Sequence, residues 1–258
     1  MTPLSRCYPK NVIFRPRLLI RTFLEPTDNL ACDEALLEAA EAGELGAVLR
    51  LWESPRYFVA LGYTNTAETE VHVERCREAN VPILRRCSGG GTVLQGPGCF
   101  NYSLIAPIDP EGTGNVESTN RFVMERHRGA CERLFGRTVK VAGHTDLVVE
   151  DPSGVDLKFS GNAQRRKSRY FLFHGTILLH MDLNEVSRLL RPPSKEPEYR
   201  SGRPHSDFVT NVGVTRADLT GALVREWEVQ GTLDAAPQER LNALVASRYG
   251  RDDWNLRA

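Results

Sequence analysis

Three short stretches of this chain combine residue types that could do chemistry. The first is Arg85-Arg86-Cys87-Ser88-Gly89-Gly90-Gly91, where successive glycines let the backbone approach a ligand or take positive φ, and two guanidinium forks supply fixed positive charge. An anionic ligand is the natural partner, and a plain glycine turn between strands with solvated arginines is the alternative. The spacing is not Gly-x-x-x-x-Gly-Lys-Ser/Thr and no helix is expected to follow, so the stretch is neither a Walker loop nor a clear dinucleotide fingerprint. The second stretch is Asp156-Leu157-Lys158-Phe159-Ser160-Gly161, where a lysine alternates with apolar neighbours ahead of a turn. Such a lysine can face a cleft, although a lysine taken alone is more often solvated. The third is His174-Gly175-Thr176 inside an apolar strand, where a single imidazole, taken alone, reads as a core histidine satisfied by a backbone partner.

Interleaved helices and strands must position these groups. Residues 29–42 have the cap, acidic first turns and terminal glycine of an amphipathic helix. Segments 48–53 and 57–63 read as strands around Ser54-Pro55-Arg56, and a short helix is expected over 71–79. Strands at 81–86 and 99–108 flank the glycine cluster 88–98. The longest helix is predicted over 118–135, ending at Gly136, followed by short strands at 139–142, 146–150, 157–160 and 170–180. Helices return at 183–190, 216–227 and 237–249. The Pro- and Arg-rich segment 191–211 between the first two has the length and composition of a functional loop or lid. No repeat, coiled coil or domain boundary is evident. The pattern predicts an α+β (mixed α/β) fold with a central mixed, largely antiparallel sheet flanked by helices.

Bulk composition narrows the classes of function. The chain has 258 residues, with 33 Lys plus Arg against 33 Asp plus Glu, so no long-range field draws it to nucleic acid or to an anionic membrane. Six scattered cysteines without a C-x-x-C pair fit a reducing, cytoplasmic setting. The arginines and prolines of the first 21 residues break any signal-peptide core, and no apolar run is long enough to span a bilayer.

Taken together, the blocks Arg85-Arg86-x-Ser88-Gly89-Gly90-Gly91-x-Val93, Gly98-x-x-Asn101-Tyr102-Ser103, Asp146-Leu147-Val148-Val149, Lys158-x-Ser160-Gly161-x-Ala163-Gln164-Arg165 and His174-Gly175-Thr176 resemble, in type and order, the lipoate–protein ligase and octanoyltransferase family. The resemblance runs from the Asn29–Glu34 helix to Tyr249–Trp254, nearly the whole chain, as one catalytic domain over 1–258. The related biotin ligases share this fold, but their Gly-Arg-Gly-Arg signature is absent. The resemblance implies a biotin/lipoate protein ligase catalytic-domain fold, with the glycine loop as one wall of an acyl pocket. It further implies that lipoate and Mg-ATP give lipoyl-adenylate, and that the acyl group passes to one lysine of an apo lipoyl domain or a glycine-cleavage H-like protein.

Joining a carboxylate to an α-phosphate brings two anions together, and a lysine between them offsets the repulsion. The resemblance gives that role to Lys158. Arg85, Arg86 or both are then expected to hold phosphate or orient the loop. Ser88, Gly89, Gly90, Gly91, Asn101, Asp146, Ser160, Gly161, Ala163, His174, Gly175 and Thr176 are expected at the substrate or nucleotide site, with Asp146 the candidate magnesium ligand. The sequence departs from the family at Gln95-Gly96-Pro97-Gly98, where many relatives have a histidine, and at His144-Thr145 before Asp146. A C-terminal accessory domain, common in bacterial ligases, is not expected, so activity comes from this chain alone or with a separate accessory chain.

Two other readings compete with the ligase. An ATP-independent acyltransferase needs a cysteine nucleophile, yet residues 132–258 contain none, which leaves Cys87 and Cys99, better suited as small pocket-lining residues. A non-catalytic lipoyl-domain binder would not need Lys158. Arg165-Arg166-Lys167 with Arg169 is either a contact for an acidic acceptor or a solvated hairpin tip.

Overall fold

The structure is a computed structural model that describes residues 14–257; Cys7 and the chain start up to Ile13 lie outside the described residues. In chain order the elements are β1 (Arg17–Ile20), α1 (Pro26–Glu41), β2 (Val48–Glu53), β3 (Phe58–Leu61), α2 (Ala67–Glu70), α3 (Val73–Glu78), β4 (Ile83–Arg85), β5 (Val93–Gln95), β6 (Cys99–Pro107) and α4 (Val116–Phe135). There follow β7 (Lys140–Ala142), β8 (Asp146–Glu150), β9 (Asp156–Arg166), β10 (Tyr170–Leu178), α5 (Leu183–Leu189), α6 (His205–Phe208), α7 (Arg216–Glu226), α8 (Gln238–Leu244) and α9 (Asp252–Asn255).

A seven-stranded sheet has the order β1-β2-β6-β10-β9-β8-β7. The β1–β2 pair is parallel and the other neighbours are antiparallel, so the mixed, largely antiparallel sheet expected from the sequence is present. A smaller sheet, β4-β3-β5, carries the start of the glycine loop at the end of β4. The two faces of β6 follow the period of a strand. Phe100, Tyr102, Leu104 and Ala106 pack under Phe122 and Val123 of α4 and Leu219 and Leu223 of α7, whereas Ile105 joins Leu36 and Leu37 of α1 on the other side. Helix α4 is held at its start by a capping box between Asn115 and Ser118, worth about 1 kcal/mol.

Several elements differ from the sequence reading. Helix α1 begins at Pro26, and Asn29 is not its cap. Proline's fixed φ suits the first helical turn, and the Asn29 side chain instead accepts from the Phe23 amide at 3.1 Å and donates to the Phe23 carbonyl at 2.8 Å. The helix expected over 71–79 is α3, and a further short helix, α2, precedes it. Strand β5 lies inside the expected glycine loop, because Val93–Gln95 pairs antiparallel with β3. Strand β1 was not anticipated, and β9 continues well beyond Ser160 to Arg166. The helix expected over 237–249 is α8 closed by a π turn, Val245–Tyr249.

Candidate active site

Strand register builds the floor of the site. Residues opposite one another across a sheet share a face, and one such row reads Trp52 on β2, Asn101 on β6, Thr176 on β10, Gly161 on β9 and Asp146 on β8. The neighbouring row on the same face is Arg50, Ser103, His174 and Ala163. Lys158 stands three residues before Gly161, an odd spacing that in a regular strand would put it on the opposite face. A bulge corrects this: β8 advances one residue from Leu147 to Val148 while β9 advances two, from Ser160 to Lys158. Phe159 turns into the core, and Lys158 joins Gly161 and Asp146 beside the cavity.

That cavity, about 500 Å³, lies between this face, the glycine loop and residues of the 191–211 segment, including Pro197 and Phe208. A smaller, more apolar cavity of about 110 Å³ adjoins it, and Lys158, Gly161, Thr176 and Phe208 line both. Lys158 Nζ is 2.8 Å from Asp146 Oδ1, and the Tyr199 hydroxyl donates to Asp146 Oδ2 at 2.7 Å. Burial, then the Asp146 charge, push the Tyr199 phenol well above its ordinary range, so it stays a donor. The chain returns to β9 at this point, where the Thr210 amide donates to the Lys158 carbonyl at 2.9 Å. The segment is therefore fastened to the strand that carries the lysine.

The two arginines of the glycine loop have different surroundings. Arg85 is buried away from the cavity, and its guanidinium donates to the carbonyls of Gly62, Tyr63, Asn65, Trp254 and Arg257. Arg86 lines the cavity but donates to the carbonyls of Ala60, Gly89 and Gly91 and to Ser88 Oγ, so it shapes the loop from beneath. Burial lowers its pKa to about 10, which keeps it cationic at neutral pH. Gly90 completes the loop at φ +86°, where a Cβ would also come within 3.1 Å of Arg86 Nη2.

Behind the loop runs a buried polar chain that sequence reasoning did not assemble. Arg50 Nη1 donates to Asp33 Oδ1 at 2.6 Å, and His174 Nδ1 lies 3.0 Å from Asp33 Oδ2. His174 Nε2 lies 2.6 Å from Ser88 Oγ, which accepts from Arg86 Nε at 3.1 Å. Asp33 only accepts, so His174 Nδ1 carries a proton, while Nε2 shares a hydrogen bond with the Ser88 hydroxyl. Burial opposes ionisation of Asp33, but Arg50 and His174 outweigh it and hold the carboxyl below its ordinary range. His174 is thus satisfied by side chains, not by a backbone partner, and it joins helix α1 to the glycine loop.

Of the other residues expected at the site, Gly90, Gly91, Asn101, Asp146, Gly161, Ala163, His174, Gly175 and Thr176 line the larger cavity, and Ser160 lines the smaller one. Ser88 is fully buried behind the loop, and Gly89 acts through its carbonyl on Arg86. Cys87 and Cys99 do not line the larger cavity, contrary to expectation; Cys87 packs against the α1 side of the core and Cys99 sits in the cluster around β3 and α5. Burial pushes both thiols up to about 12. In the basic cluster, Arg166 is not a solvated tip residue, since it donates to Thr113, Gly114 and Thr119. His144 and Thr145 line the cavity, and Asn162 is locked to Thr145 through its amide at 2.6 Å. Among the described residues no three His, Cys, Asp or Glu side chains gather to hold a metal ion, and no helix is long and apolar enough to cross a membrane.

Residues 25–226 match the family model of the lipoyl protein ligase A/B catalytic domain. The chain is 28% identical to lipoate-protein ligase A of Blochmanniella floridana over 81% of its own length, and spans 58% of that relative. It is 34% identical to an inferred lipoate-protein ligase A of Aeropyrum pernix, with 88% of this chain and 79% of the relative covered. It is 30% identical to the octanoyltransferase LipM of Carboxydothermus hydrogenoformans, covering 89% and 94%. The fold matches the bipartite lipoate protein ligase of Thermoplasma acidophilum at TM-score 0.78 and 23% identity, covering 95% and 97% of the two chains. It also matches a lipoate-protein ligase A bound with ATP at TM-score 0.75 and 23% identity, covering 94% and 99%. Register, cavity and sequence agree: the chain belongs to the lipoyl protein ligase A/B catalytic-domain family, which takes in both ligases and octanoyltransferases among its named relatives.

Proposed function

We propose that this protein attaches lipoate or octanoate to a lysine of a lipoyl domain, or of an H-like acceptor, through an acyl-adenylate, with Lys158 as the catalytic cation. The observation that carries this reading over a thioester route is that the cavity presents a lysine and, among the described residues, no thiol. A relative named as an octanoyltransferase keeps the transferase route as the competing outcome. The fold match to a ligase bound with ATP, and to a bipartite ligase described together with its E2 lipoyl domain, supports the choice of nucleotide and acceptor.

In the first half-reaction a carboxylate oxygen attacks the α-phosphorus of ATP, the α–β anhydride bond breaks and pyrophosphate leaves. Lys158, exchanging Asp146 for the two ligand anions, offsets their repulsion and the charge developing at phosphorus. In the second, the neutral amine of the acceptor lysine attacks the acyl carbonyl, AMP leaves with the bonding electrons, and the ammonium proton passes to solvent. Arg86 keeps the glycine loop in place and contributes positive charge beneath it, while Gly90, Gly91, Gly161, Ala163 and Thr176 let the acyl-phosphate end lie close to the backbone. Arg85 anchors the C-terminal segment at the loop and leaves phosphate to Lys158. Magnesium would be held mainly by the ATP phosphates with Asp146 as the protein oxygen ligand, and would supply further charge neutralisation. The 191–211 segment shields the mixed anhydride from water.

Lipoate-dependent exchange of labelled pyrophosphate into ATP tests the first half-reaction. Exchange by the unaltered chain, lost in Lys158→Ala while acceptor binding persists, is the expected result. Acyl transfer from a carrier thioester with no exchange would overturn it.

A further inference from the structure

One side chain at the junction of the two cavities has an unused hydrogen-bond donor. Arg200, itself buried, donates from Nη2 to Nδ1 of His205 at 3.2 Å. A guanidinium has donors only, so Nδ1 is the acceptor and the ring proton sits on Nε2. His205 Nε2 is buried and has no hydrogen-bond partner among the described residues. Buried donors are nearly always paired, and His205 lines both cavities together with Lys158 and Gly161. The two cavities that the ring lines are where a ligand would supply that partner. Its chemistry follows from the neighbours: Arg200, ion-paired with Glu196 at 3.5 Å, and Lys158, ion-paired with Asp146 at 2.8 Å, place cations beside the ring, so an anionic oxygen that takes the place of Asp146 on Lys158 matches the donor and its setting. Burial, followed by the charges of Arg200 and Lys158, pulls the His205 pKa down to about 4, so the ring is neutral at physiological pH and keeps its single proton on Nε2.

We propose that His205 contacts the substrate directly, its Nε2–H donating to an anionic oxygen at the reacting end, either the acyl carboxylate or the ATP α-phosphate. This rests on the adenylate reading for the identity of the ligands, but not for its test. The choice of residue is not one that spacing suggests, because His205 lies far along the chain from the glycine loop and from the Lys158 block, and reaches them only when the 191–211 segment folds back on β9.

Calorimetric titration of the full chain with octanoate and, separately, with Mg-ATP tests the assignment. His205→Phe, which keeps the ring but removes the donor, is expected to weaken one of the two about 10- to 100-fold, as for a lost hydrogen bond to a charged group. His205→Gln, which retains an N–H near the same place, is expected to stay within about threefold of the unaltered chain. A loss for octanoate assigns the carboxylate, and a loss for Mg-ATP assigns the phosphate. Unchanged affinities in His205→Phe, equal losses in both variants, or an unaltered chain that binds neither probe would overturn the proposal. A lowered melting temperature of ligand-free His205→Phe, with both affinities reduced, would make the residue structural and overturn it too. A chain that binds both probes and shows the His205 effect but exchanges no pyrophosphate would remove the adenylate reading and leave this assignment intact.

Discussion

A methyl group on Gly161 would stand 2.9 Å from Lys158 Nζ, because the lysine side chain lies across the glycine on its way to Asp146. Gly161→Ala is expected to push the ammonium out of line while leaving the strand paired. Acyl transfer should fall at least about tenfold, the scale of a small misplacement of a catalytic group, with the melting temperature nearly unchanged. Steady-state rates beside a melting curve would check this.

Tyr199 ties the 191–211 segment to the same pair through Asp146. Tyr199→Phe removes one hydrogen bond to a charged acceptor, about 1.5–3 kcal/mol. If that bond holds the segment over the cavity, KM for the acyl acid should rise by about tenfold or more while kcat changes less, and wasteful release of AMP to water should increase.

The Arg50–Asp33 pair is almost entirely buried, with side-chain exposures of 0% and 2%. Asp33→Asn strands a buried guanidinium and should cost about 3–5 kcal/mol, read by urea denaturation. The same change at Asp253, whose ion pair with Arg251 is exposed to solvent and screened, should leave the denaturation midpoint nearly unchanged.

His127 accepts from Trp227 Nε1 at 2.9 Å, and burial pulls its pKa from 6.5 to about 3. Between those values the unfolded chain binds a proton that the folded chain refuses, so stability rises with pH across the window and is lost as pH falls through it. The contribution to the slope is at most about 1.4 kcal/mol per pH unit. His127→Gln, which keeps an acceptor for Trp227, should flatten unfolding free energy against pH in this range.

All five described cysteines are buried, and burial raises their pKa values, to about 11 for Cys32 and Cys76 and to about 12 for Cys87, Cys99 and Cys131. Native alkylation at pH 8 should therefore add at most one adduct, at Cys7, against six in denaturant. Rapid labelling of Cys87 or Cys99 in the native chain would contradict the buried thiols and reopen a thioester route.

The sequence made the glycine loop, the Lys158 block and the His174 strand legible because each concentrates unusual residues within a few positions. The mixed sheet was legible through the interleaving of helical stretches with short, apolar, β-prone segments separated by turn residues. What escaped depends on register and distance. The bulge at Phe159, which sets Lys158 beside Gly161, leaves no mark in a pattern that alternates normally. Asp33 and Arg50 look like ordinary surface charges of a helix and a strand until the register aligns Arg50 with Ser103 and His174. Arg85 and Arg86 are adjacent and chemically identical, so only the surrounding carbonyls separate their roles.

The most direct test of the central claim is the intact mass of an apo lipoyl domain after incubation with this chain and lipoate, with and without Mg-ATP. The account predicts a lipoyl mass increase only when ATP is present. An increase obtained from an acyl-loaded carrier without ATP, and none from lipoate with ATP, would contradict it.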